Sequence, residues 1–215
     1  MWLHGKNAEG MDFKGNAVAV TANRALSSLH GKILESSSVE LVDIRGEKRK
    51  ATVILSRYLQ NEVDMALLQL NADETPFDAF IEIRREPVQL GQQLALVGLV
   101  SNSRDETTTY FETFQVAVID AGALFQSTYY ARKSLSGSAV IVSIDNGEFH
   151  VVGVHVGTQD DTEAPPPIKK GRKGSYASAN NVAESQQSLA DSLHGHTAYC
   201  LICEVARVSD IVSAL

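Results

Sequence analysis

The chain has 215 residues, 44% of them hydrophobic and 21% charged, with 19 Lys and Arg against 26 Asp and Glu for a formal charge of −7. That composition is ordinary for a soluble globular protein with a sizeable core, and the acidic balance argues against nucleic-acid binding, which rests on phosphate neutralisation by Lys and Arg. Two cysteines, Cys200 and Cys203, cannot build a disulfide framework, which predicts an intracellular (cytoplasmic) compartment; no apolar run approaches the length of a membrane span, and the N-terminal MWLHGKNAEGMDFKG lacks the uninterrupted apolar run of a signal peptide.

In chain order, short β-branched or alternating segments recur at 16–21, 38–44, 50–56, 64–70, 92–98, 111–119, 138–144 and 149–156, with Gly, Asn and Asp between them. Regular short strands of this kind predict an all-β sandwich or barrel. Residues 158–196 differ: DDTEAPPP, the basic KKGRK run and a Ser- and Asn-rich stretch lack the apolar content to offset ordering entropy, so a long surface insertion is expected. Residues 198–205 return to strand composition. Residues 206–215 place Val208, Ile211, Val212 and Leu215 at helical spacing, with Ser209 and Asp210 as candidate caps.

Three segments carry chemistry together. His30 closes an apolar strand, Asp64 opens another, and Ser136 sits in a small-residue turn before a third. A serine hydroxyl becomes a useful nucleophile when an imidazole takes its proton, and the imidazole needs a carboxylate on its other nitrogen. The Gly after Ser136 permits a tight turn that exposes the hydroxyl. Singly, each residue reads as readily as a strand-end His, a solvated turn Asp or a loop Ser. The joint order and flanking strands carry the signal.

Those segments resemble the trypsin-like peptidases of the chymotrypsin fold, above all the compact disulfide-free members. GNAVAVTANRALSSLH is similar to the family's Gly-x-Gly-strand, turn and TAAH; VDMALLQL to DIALL; SLSGSA to G-x-S-G-S/G-P; and VVGVHVG to the V-x-G-I-H strand. The likeness covers most of residues 14–157. It implies two six-stranded antiparallel β-barrels and a short C-terminal helix, with His30 and Asp64 on an N-terminal barrel (1–86) and Ser136 with the specificity pocket on a C-terminal one (87–215). The boundary is expected near Arg84–Leu90.

By the same resemblance the chain is a serine endopeptidase acting on a protein or peptide substrate without metal or cofactor. His30 is base and then acid, Asp64 its orienter, Ser136 the acyl-forming nucleophile, and the backbone N–H groups of Ser134 and Ser136 the oxyanion hole. Three residues depart from the motif: Ser134 replaces the usual Gly, Leu135 a polar residue and Ala139 the Pro. Gly153 and His155 match the Gly-x-His strand of glutamyl endopeptidases and 3C-like proteases, which implies Glu or Gln at P1; a donor imidazole suits either. Ala131 stands where those families place a hydroxyl residue, with Arg132 beside it as a possible acid-favouring substitute. The alternative is a latent or catalytically inactive protease-fold protein acting as a binding or scaffold module. Cys200-Leu-Ile-Cys203 reads as buried thiols in an apolar strand, with metal binding alongside His194 and His196 as the competing reading.

Overall fold

A computed structural model describes residues 1–6, 9–28, 35–59, 63–102, 105–117, 124–128, 135–144, 147–159 and 199–215. Thirteen strands are present among them: β1 (Trp2–Lys6), β2 (Asp12–Asn16), β3 (Val18–Thr21), β4 (Arg24–Ser27), β5 (Ser38–Val42), β6 (Lys48–Leu59), β7 (Val63–Leu70), β8 (Gln93–Asn102), β9 (Asp105–Ala117), β10 (Leu124–Thr128), β11 (Ala139–Ser143), β12 (Phe149–Gln159) and β13 (Tyr199–Glu204). A 3₁₀ turn at Val205–Arg207 leads into helix α1 (Ser209–Ala214). No helix among the described residues is long and apolar enough to cross a membrane.

All strand pairings are antiparallel and fall into two sheets, ordered β2-β1-β5-β6-β7-β4-β3 and β10-β13-β12-β11-β8-β9. The first has seven assigned strands, but its two rims, β2 and β3, are halves of one segment interrupted only at Ala17. The sheet therefore returns on itself as a six-stranded barrel, which removes its edges. In the second sheet the rims β9 and β10 approach within 8 Å between Cα atoms. This is the chymotrypsin-like pair of barrels that the motifs implied.

Strand β7 shows why the apolar runs are nearly continuous. Ala66, Leu68 and Leu70 point into the first barrel, while Met65 and Leu67 point outward into a second apolar layer. On β11, Val140 and Val142 fill the other barrel, and Ala139 and Ile141 join that outer layer. The shared layer, which also takes Val151, Val154, Val156, Cys203 and Ile211, is the seam between the barrels. Each large aliphatic side chain buried there contributes about 1.5–3 kcal/mol.

The structure corrects several strand and helix boundaries. β1 and β10 did not stand out in the sequence, and β6 and β12 run further than their apolar cores, so Thr158 and Gln159 belong to β12 and not to the insertion. The helix is shorter than 206–215 because its first turn is 3₁₀. Its N-cap is Val208, without a side-chain cap bond; Ser209 is already helical, and Asp210 instead pairs with Arg57 of β6 at 2.9 Å.

The segment joining the sheets is stitched down. Ile83 forms a parallel bridge with Val151 of β12, through Val151 N–H to the Glu82 carbonyl and Arg84 N–H to the Val151 carbonyl, both 2.8 Å. Further on, Val88 N–H donates to the buried Glu204 carboxylate at 2.5 Å, and Arg207 closes the other carboxylate oxygen at 2.6 Å.

Candidate active site

Ser136 lies in a turn closed by the Ser138 N–H donating to the Leu135 carbonyl at 2.9 Å. Gly137 holds its third position at φ +82°, where a left-handed residue is needed. A Cβ at Gly137 would stand 2.0 Å from the Asn16 carbonyl oxygen, so the turn admits no side chain there. Leu135 is fully buried in the second barrel's core and anchors the turn from below. The half-buried Ser136 faces the seam, and its hydroxyl donates to the Val156 carbonyl at 3.2 Å.

That carbonyl belongs to a β-bulge. His155 pairs with Ile202 and Gly157 with Leu201, so Val156 is the extra residue on β12. Bulges re-aim backbone groups near functional sites, and this one turns a carbonyl toward Ser136. His155 itself is 2% exposed; its N–H donates to the Ser138 carbonyl at 2.9 Å, and its carbonyl accepts from Gly137 N–H at 2.7 Å and from the Ser28 hydroxyl at 3.2 Å. Gly153 lies flush against β13, where a Cβ would approach the Cys203 carbonyl oxygen to 2.4 Å.

From the first barrel, Asp64 enters β7 buried, at 4% exposure. It meets Cys203 across the seam. Burial pushes the Cys203 thiol up to about 12, and a backbone hydrogen bond from Asp64 only partly offsets this. Cys203 pairs with Val154, one residue before His155. On the neighbouring strand, Ser27 of β4 pairs with Ala66 of β7, and Ser28, two residues before His30, bonds to His155. The end of β4, Asp64, Ser136 and His155 thus converge on one stretch of seam.

No protein-family model matches the chain, and no curated protein matches it in sequence. Among solved structures, it is similar to a catalytically inactive tobacco etch virus protease complexed with substrate, at 16% identity and a TM-score of 0.53 over 73% of this chain and 71% of that one. It is also similar to the active form of the Rv3671c protease from M. tuberculosis, at 18% identity and a TM-score of 0.52 over 76% and 71%. The chain has the chymotrypsin-like fold. At such identities the likeness concerns architecture alone.

Within the chymotrypsin-like fold, the described members of the sequence-derived site, Asp64, Ser136, Gly153 and His155, all lie at or beside the seam. His30, Ala131, Arg132 and Ser134 lie outside the described residues, as do the basic run, His194 and His196. Leu135, Asn16, Ser27, Ser28 and Val156 shape the site without having been singled out for it; Leu135 had stood out only as a departure from the motif. A mostly apolar cavity of about 410 Å³ opens behind the Ser136 turn, lined by Val18, Ile44, Phe80, Val97 and Ser138.

Proposed function

We propose that this chain is a serine endopeptidase that cleaves protein or peptide substrates through an acyl-enzyme. The observation that carries the reading is Ser136 held on a left-handed glycine turn at the seam, with Asp64 buried in the facing barrel. In this mechanism His30 takes the Ser136 proton as the oxygen attacks the scissile carbonyl. It returns that proton to the leaving amine, and water repeats the sequence. Asp64 fixes the imidazole tautomer and stabilises the imidazolium. The N–H groups of Ser136 and Ser134 receive the oxyanion.

His155 is proposed to meet the P1 side chain, which favours Glu or Gln; Arg132 beside Ala131 adds a positive charge for an acidic group. Gly153 shapes the same strand. A second reading, a latent or inactive member of the fold that binds partners, draws on Ser134, which stands where the motif has Gly.

Fluorophosphonate labelling of the native protein, with peptide mass spectrometry, separates the two. An adduct on Ser136 that is absent in His30→Ala supports the peptidase. In Asp64→Asn the labelling rate should fall by a factor of about 10⁴. A folded wild-type protein that takes no adduct would exclude an assembled site and leave the binding role.

A further inference from the structure

Asn16 closes β2 at the corner where the chain passes through Ala17 into β3, and it is 1% exposed. Its side-chain amide donates to the Leu99 carbonyl at 3.0 Å and accepts from the Leu99 N–H at 2.8 Å. Leu99 lies on β8 of the other barrel. One side chain therefore meets both polar groups of one backbone residue, as a neighbouring strand would.

The β8 ladder explains why that partner is needed. β11 pairs with β8 at Ala139↔Val97, Val140↔Leu96 and Ile141↔Ala95. Continued by one more step of two residues, the same register would set Gly137 opposite Leu99. Gly137 has instead turned away, and its N–H goes to His155. The Asn16 amide occupies the position on β8 that the nucleophile turn vacates, so no buried backbone group at Leu99 is stranded.

The main chain of Asn16 grips the same turn. Its N–H donates to the Ser136 carbonyl at 2.7 Å, and its carbonyl, packed against Gly137, accepts the Ser27 hydroxyl at 2.6 Å. Ser27 is three residues before His30. Asn16 thus touches β8, the nucleophile turn and the strand that leads to His30.

We propose that Asn16 is a positioning residue that fixes the Ser136 turn relative to both barrels. The proposal rests on the serine-peptidase reading only for its kinetic consequence. A nucleophile displaced by about 1 Å loses about 100-fold in rate. Asn16→Ala should therefore lower the maximal rate of fluorophosphonate inactivation by about 100-fold while leaving the reversible affinity for the probe unchanged. Its pH profile should keep the same midpoint and a lower plateau, since the base is untouched. Val39→Ala, which opens the core of the first barrel and removes no hydrogen bond of Asn16 or of the Ser136 turn, should lower Tm without changing that rate.

If Asn16→Ala does not fold, Ser27→Ala, which loses one bond to the same corner, should show a loss of about 5-fold. Hydrogen exchange is read in the same proteins over peptides covering residues 96–101 and 134–140. Faster exchange in both segments is expected in Asn16→Ala. Unchanged exchange, or inactivation within twofold of wild type, would overturn the positioning role. Faster exchange in a protein whose wild type takes no adduct would instead sustain that role and discard the peptidase.

Discussion

The backbone N–H of Gly137 donates to the His155 carbonyl at 2.7 Å, and the His155 N–H donates to the Ser138 carbonyl at 2.9 Å. The turn that presents Ser136 and the strand proposed to read the P1 side chain are thus paired residue to residue. A displacement of either is transmitted to the other.

Gly137→Ala tests that coupling. A methyl group must stand at φ +82° against the Asn16 carbonyl. The left-handed conformation alone costs about 1–2 kcal/mol for an L residue, and relieving the overlap displaces the turn. We expect a stability loss of more than about 2 kcal/mol by urea denaturation, together with loss of Ser136 labelling.

Ser136→Ala should behave in the opposite way. Its hydroxyl makes one bond of 3.2 Å in a half-buried setting, so denaturation midpoints should move by less than about 1 kcal/mol, while every trace of turnover and adduct disappears.

Glu204 is fully buried and accepts from Val88 N–H and Arg207. Glu204→Ala leaves a buried backbone N–H without its acceptor and Arg207 without its counter-charge. The stranded buried N–H costs about 1–3 kcal/mol, while Arg207 is exposed and its lost partner adds little. A clear fall in Tm is expected, and Glu204→Gln, which keeps an oxygen for Val88, should recover part of it.

The Cys203 thiol supplies a pH dependence. Its folded value is raised from 9.0 to about 12, chiefly by burial. The folded state thus favours the protonated thiol. Its contribution to stability is complete below pH 9 and is lost as pH rises from 9 toward 12. Iodoacetamide at pH 8 should leave Cys203 unmodified in the native protein and alkylate it in urea; native alkylation at the unfolded rate would contradict this burial.

Much of this was legible because the informative signals are local. Gly137 after Ser136 and the DMALLQL run state a turn and a doubly buried strand within a few residues. Leu135 was legible only as a departure from a motif. Its role as a core anchor depends on which way a turn faces, and no periodicity reports that. Asn16 was legible only as the first residue of a strand-like run, and its role was not, since its amide finds Leu99 across 83 positions of chain. β1 was hidden because its polar His4 and Lys6 mask a strand whose partners, β2 and β5, come later in the chain.

The bridge between Ile83 and Val151 has a mechanical meaning. A connector between two barrels is a natural hinge, yet this one is bonded into β12 on both sides of Ile83 and clasped by Glu204 further on. Rotation of one barrel against the other would have to tear these bonds as well as open the apolar layer. Swinging one barrel against the other therefore costs this molecule more than a free linker would ask.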